Sequence, residues 1–391
     1  MALLSRTFSE LLTFTRATTG TFIGSNGLIQ TAEIDAPRFT HDPVTLEGQG
    51  FLVEEVRTNL NIRSGSLDND VWVKTLSVQA TSIPSPLSSE NYYKLVPADG
   101  ETFRTIRQEL ASSVIENTII TVSAFFKPAE WNSIRLGFTD NNGNFKVGTF
   151  NSSNESTSGI QISFVRISNT EWRVSYTDTV GSGANNVKVY VYVTNNGEIG
   201  TAGDGVSGAY VWGIQSEEGS FPTTYIPTTS AQVTRAADQC ERTLTGNEFD
   251  QNQGALYAEL STKEVQAGIG LTDDTVLERI VLRRSGVGIG QALLSSDGIN
   301  STIDTDAGVY VDEGLNKLAV SWSLAGYKFS CNGQIIGSNS LPSGRVPLFT
   351  NLIIATSENL GIRSKVRTNK SCRLFPKSLS DAELIALTGG A

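Results

Sequence analysis

Histidine is almost missing from this chain: His41 stands alone among 391 residues. Hydrolysis of the Ser-His-Asp or Cys-His kind would have to be built around that one ring. Its setting, His41-Asp42-Pro43, reads instead as a structural turn. Cysteine is nearly as scarce. Cys240, Cys331 and Cys372 are odd in number, far apart and without metal-ligand spacing, so reduced thiols in a protein folded in cytoplasm are expected and a disulfide framework is not. Long apolar runs are missing too. None approaches the roughly 20 residues of a membrane helix, and Met1–Thr15 lacks the uninterrupted apolar core of a secretion signal. Neither membrane insertion nor a leader is expected. Positive charge is in deficit, with 30 Lys and Arg against 40 Asp and Glu and a net charge of −10. That balance argues against nucleic acid as a partner. Glycan contact would rest on neutral hydroxyls and aromatic faces.

What the chain does have is length for two or three domains, 37 glycines and abundant Ser, Thr and Asn. These suit many short strands joined by tight turns. The stretch Gly203–Asp238 organises the rest. Tyr210, Trp212 and Ile214 alternate with Val211, Gly213 and Gln215, the period of a strand. Glu217, Glu218 and Gly219 end it, and Pro222 and Pro227 hold an extended strap beyond. Phe14-Thr15-Arg16-Ala17 is echoed by Val233-Thr234-Arg235-Ala236, as though two similar extended segments bracketed one domain.

The pattern predicts an all-β protein: an extended N-terminal arm and docking segment over 1–64, then two β-sandwiches over 65–238 and 239–391, joined near Gln239–Asp250. The strands of the first sandwich are expected at Thr118–Lys127, Ser133–Thr139, Gly159–Ser168, Glu171–Thr177, Asn186–Val193 and Ala209–Gln215, a number and spacing of jelly-roll type. Val187, Val189, Val191 and Val193 are expected to face the core, with Tyr190 and Tyr192 outward. Asn26-Gly27, Asn142-Gly143 and Asn196-Gly197 are read as type I′ hairpin turns. In the second sandwich Leu318, Val320, Trp322 and Leu324 share a face. Ser380-Asp381-Ala382-Glu383 is a capping box that opens a short helix with Leu384 and Leu387 buried.

These residues bear on three chemistries. Glycoside hydrolysis needs two carboxyls about 5–10 Å apart across a sugar; Glu54-Glu55 and Glu217-Glu218 are neighbours on strands and point to opposite faces, so no catalytic residues are assigned. Asp140-Asn141-Asn142-Gly143-Asn144 begins like a calcium loop, but no acidic residue follows at the spacing required. No cofactor or metal is assigned, and a structural calcium near Asp204, Asp297 or Asp304 and Asp306 stays open without being indicated. Sugar binding has the better candidates. Aromatic faces stack on pyranose rings, and Trp131, Tyr92, Tyr93, Tyr190 and Tyr192 are the candidate platforms, while Trp72, Trp172, Trp212 and Trp322 read as core.

The sequence also resembles a widespread group of tailed-bacteriophage virion proteins. The likeness is carried by Thr13–Thr18, by Pro37-Arg38-Phe39 with Asp42-Pro43, and by the run Gly50–Leu60. It continues in Val211–Glu217, Tyr225-Ile226-Pro227-Thr228 and Thr234–Asp238, and Arg373–Leu384 looks like the closing signature of laminin-G-like or concanavalin-like lectin modules in phage proteins. Together these span most of the chain. The resemblance implies a carbohydrate-binding-module-like jelly roll followed by a lectin-like sandwich, on a tail fibre, head fibre or capsid-decorating protein of the virion. It implies a homo-oligomer, with a trimer favoured, other virion proteins as partners and a host-surface glycan as ligand. It supplies no ligand residues. The rival readings are a purely architectural decoration protein and a glycan-cleaving tail-spike enzyme. Extended segments bury few side chains of their own, so Arg16 or Arg235 is expected to dock on Glu54, Glu55 or Glu217, with Arg57 in the same junction, as charge-assisted forks.

Overall fold

The computed structural model describes residues 12–100, 105–110, 117–139, 144–159, 161–181, 187–198, 202–245, 249–262, 267–312, 314–355 and 367–389. The chain is all-β, with Asp381–Gly389 the one α-helix among the described residues. No described helix is long and apolar enough to cross a membrane.

Two six-stranded antiparallel sheets face each other in the first sandwich. One has the order Ser156–Ser158, Phe145–Asn151, Ser133–Thr139, Lys188–Thr194, Thr105–Glu109 and Val73–Lys74. The other runs Ile162–Ser168, Glu171–Thr179, Ile119–Pro128, Ala209–Glu218, Asn91–Val96 and Ser77–Pro84. Alternation drives the packing: Val187, Val189, Val191 and Val193 are fully buried against Val122, Ala124 and Phe126 of the facing sheet.

The alternation breaks at one point. Tyr210, Trp212 and Ile214 do not share a face. Gly213 takes φ +62°, and the pairing with Ile119–Pro128 slips between Ser123 and Phe125. This bulge sends Ile214 into the main core, while Trp212 stays on the face of Tyr210, against Phe125, Tyr225 and Tyr92. A Cβ at Gly213 would lie 2.8 Å from Phe125 Cδ2, so both the positive φ and the close approach call for glycine there.

The second sandwich has two seven-stranded sheets, and the N-terminal segment takes part in both. Thr13–Thr15 pairs with Gln239–Thr243 at one edge, and Gly48–Val53 pairs with Arg367–Phe375, followed outward by Arg38–His41. Phe51 and Val53 are buried in this core beside Leu256, Leu318, Val320 and Trp322. The extended segment thus ends as structural strands of the distant sandwich, and the stretch expected as a junction already forms a strand at Gln239–Thr243. Leu324 lies just beyond its strand and is 69% exposed.

Turns differ in detail. Asn196 and Gly197 both have positive φ, at 53° and 78°. At Asn26-Gly27 only Gly27 does, because five residues separate the paired strands Gly20–Ile23 and Ile29–Ala32. Asn142-Gly143 lies outside the described residues. The C-terminal capping box forms: Ser380 N–H donates to Glu383 Oε2 at 2.8 Å, Glu383 N–H donates to Ser380 Oγ at 3.3 Å, and Leu384 is buried.

Candidate functional site

Burial of the valines in Lys188–Thr194 turns Tyr190 and Tyr192 to the outer face of the first sandwich. In register, Tyr190 lies between Arg107 and Gly137, and Tyr192 between Thr105 and Arg135. The two rings are 13° from parallel with centroids 6.0 Å apart. Phe145, 44% exposed, meets both edge-on at 5.4 and 5.8 Å. Gly137 makes that approach feasible, since no side chain stands beside Tyr190 on the intervening strand. The Arg107 guanidinium lies over the Tyr190 ring at 5.9 Å. Arg135 sits next to Tyr192, its Nε buried without a hydrogen-bond partner. Burial, then the neighbouring Tyr190, pushes the Tyr192 phenol up to about 12 against the opposing pull of the two arginines. It stays a neutral hydroxyl donor at neutral pH. Three rings with two cationic forks at the rim can stack on the CH face of a sugar and hydrogen-bond its oxygens.

The other proposed platforms do not join this group. Trp131 is 5% exposed and belongs to the first core, its backbone tied to Gly208 at 2.9 Å. An indole gains more from burial than from exposure at the polar strand end that Pro128-Ala129-Glu130 and Asn132 mark. Tyr92 is fully buried among Phe125, Trp212 and Tyr225. Neither offers a face to a ligand. Tyr93 is half-buried on the opposite sheet, where its hydroxyl donates to Asp68 Oδ1 at 2.9 Å; burial and that bond push its pKa up to about 12.

The charge junction is a fully buried network that holds the expected Arg235–Glu54 pair and further partners. Arg235 Nη1 meets Glu54 Oε2 at 2.9 Å. Arg16 meets Asp238 rather than a glutamate, at 3.2 Å. Arg38 bridges the two carboxylates, 2.5 Å from each. Asp238 also accepts the Glu54 N–H at 2.7 Å, and Glu54 accepts from Thr224 N–H at 2.8 Å and Oγ1 at 2.7 Å. Burial works against the Glu54 carboxylate, but Arg235, Arg38 and Thr224 outweigh it and hold its pKa at about 2. Glu55 takes Arg57 at 2.5 Å outside the network and lends only its carbonyl to Arg235. Glu217 binds the backbone and hydroxyl of Thr223 instead of an arginine. The matched Thr-Arg-Ala segments therefore meet one cluster from two sides, and Arg16 also donates to Glu33 O at 2.8 Å.

Within the described residues no three His, Cys, Asp or Glu side chains group as metal ligands. Asp140–Gly143 of the loop considered for calcium lie outside them. Asp204 accepts from Val206 N–H, Ser207 N–H and Ser207 Oγ of its own turn. His41 ends the strand Arg38–His41 with Nδ1 3.3 Å from Ile23 O.

No protein-family model matches the sequence, and no curated protein matches it. Among solved structures, similar chains include the CBM40 of the Ruminococcus gnavus IT-sialidase, with 19% identity, TM-score 0.30, and coverage of 36% of this chain and 84% of that one. The botulinum neurotoxin serotype D binding domain shares 12% identity over 38% of this chain and 39% of its own, at TM-score 0.32. A heptameric SAP-like pentraxin from Limulus polyphemus shares 8% identity over 37% of this chain and 77% of its own, at TM-score 0.29. Likeness at this level does not extend to ligand or activity.

Sequence reasoning missed Phe145, Arg107 and Arg135 on the aromatic face, and Arg38, Asp238 and Thr224 in the junction. Phe145 had a signal, a large apolar residue opening a strand one residue beyond an Asn-Gly pair. Arg38 and Asp238 sit inside the quoted motifs, but nothing local shows that they meet.

Proposed function

We propose that this chain is a non-enzymatic structural protein of a tailed-phage virion whose first sandwich binds host-surface glycan through Tyr190, Tyr192 and Phe145. The glycan part rests on one observation: a solvent-facing block of three rings, two of them stacked, flanked by arginines that carry no ion pair among the described residues. Aromatic side chains so placed on a β-sheet suit the CH faces of pyranose rings. The virion part rests on the sequence motifs at Thr13–Thr18, Gly50–Leu60 and Val211–Asp238. Several copies in an oligomer, a trimer being favoured, would turn weak single contacts into firm adhesion.

The test is binding of the purified protein to polysaccharide from candidate host surfaces, by affinity electrophoresis and on a glycan array. Tyr190→Ala with Tyr192→Ala is expected to abolish retention while leaving the melting temperature close to the parent's, because both rings face outward. Undiminished retention by that double variant would refute this site. A purely architectural protein is the second reading, favoured by the buried arginine network that ties both sandwiches and the strap together. Lack of binding to every glycan, combined with virion instability in its absence, would select it.

A further inference from the structure

Between the two sandwiches lies a cleft of about 550 Å³. Its floor is the outer face of the strand Glu171–Thr179, and its walls come from the hairpin Gly20–Ala32, the strap at Ser220–Tyr225 and the edge of the second sandwich. Phe22, Ile23, Phe164, Val165 and Phe221 make the walls largely apolar. The size is ordinary for a small-molecule site.

One cation lines this apolar space. Arg173 Nη1 donates to Thr223 O at 2.5 Å and Nη2 to Ser123 Oγ at 3.0 Å, while the guanidinium packs on Phe125 at 5.3 Å. Its Nε is buried with no hydrogen-bond partner, and no described carboxylate comes within the 4.0 Å of an ion pair. Two of its five N–H donors are therefore engaged, both by neutral oxygens.

Glu217 and Glu54 attract it through space, but neither makes an ion pair with it. Arg16, Arg38 and Arg235 already engage Glu54 and Asp238, and Glu217 is held by Thr223. Three guanidiniums thus share two carboxylates, and the fourth, Arg173, lines the cleft near Glu217 without an ion pair. A buried charge is costly unless it is paired.

We propose that this cleft is a binding site for a small organic anion with an apolar body. Its carboxylate or sulfonate meets the free N–H donors of Arg173, and its hydrocarbon part packs on the phenyl walls. The site is separate from the aromatic face and does not depend on glycan recognition there.

The experiment uses the full chain and the fluorescent anion anilinonaphthalene sulfonate, with decanoate and decanol as competitors of equal chain length. Saturable binding at one site is expected, displaced by decanoate and not by decanol at the same concentration. Arg173→Gln is expected to weaken the probe about tenfold or more, the worth of a lost charge-assisted contact. Val165→Trp narrows the cleft at a residue 55% exposed and outside the charge cluster, and is expected to remove the signal without lowering the melting temperature. No saturable binding would overturn the proposal. So would equal displacement by decanol, or unchanged binding in Val165→Trp. If Arg173→Gln fails to fold, the competitor pair and Val165→Trp still decide.

Discussion

Arg38→Ala is the perturbation that most directly probes what holds this molecule together. Arg38 is fully buried, lies 2.5 Å from both Glu54 and Asp238, and donates to Thr21 O at 2.8 Å. Its removal leaves Asp238 with Arg16 and Glu54 with Arg235, but each carboxylate loses its shortest partner in a place that water does not reach. Breaking one partner out of a buried pair costs about 3–5 kcal/mol, against about 0–1 kcal/mol for an exposed pair. Arg38 serves two pairs, so the upper part of that range is expected. The cluster joins the N-terminal strands, the strap and the start of the second sandwich, so the loss falls on the transition in which those parts separate. Guanidinium denaturation at neutral pH, followed by tryptophan fluorescence, measures it, with each transition fitted separately because a chain of this size need not unfold in one step. Arg38→Ala combined with Glu54→Gln completes a cycle whose coupling energy is expected to exceed about 1 kcal/mol. A loss below about 1 kcal/mol in the single variant would refute the reasoning, since it would mean that the network behaves like surface charge.

Three further outcomes are expected. Glu54 has its carboxyl held at about 2, below the ordinary 4.5, so its contribution is fully present above pH 4.5 and is lost as pH falls towards 2; that is about 3 kcal/mol, seen as a steeper acid-side loss in the parent than in Glu54→Gln and absent if the two slopes agree. Gly213→Ala places a Cβ 2.8 Å from Phe125 Cδ2 at φ +62° and is expected to cost about 1–3 kcal/mol, with an unchanged melting temperature counting against the bulge. A fragment of residues 239–391 lacks the strands Thr13–Thr15, Arg38–His41 and Gly48–Val53 and leaves the place of Phe51 and Val53 open; size-exclusion chromatography is expected to show it aggregated, whereas a monomeric fragment with a cooperative melt would contradict the pairing.

Short-range pattern was enough for much of this protein. The all-β class follows from period-two alternation. The inward valines and outward tyrosines of Lys188–Thr194 and the capping box at Ser380–Glu383 rest on contacts within a few residues. Such features depend on backbone geometry that repeats locally, and a sequence states them directly. The matched Thr-Arg-Ala segments likewise announced that Arg16 and Arg235 had a shared task.

Tertiary structure decided the rest. Arg16 and Asp238 are 222 positions apart, and Arg38 and Asp238 are 200 apart; which carboxylate meets which guanidinium depends on where two sandwiches and a strap converge. Trp131 and Tyr92 went inside because the packed core offered their rings more burial than the surface did. One glycine with positive φ turned Ile214 to the face opposite Trp212. Phe145 joined Tyr190 and Tyr192 across an intervening strand that is bare at Gly137. Local periodicity says which way a side chain points along its own strand. Which strand lies next to it, and what fills the space between sheets, is set by the long-range pairing that buries the most apolar surface while leaving few charges unpaired.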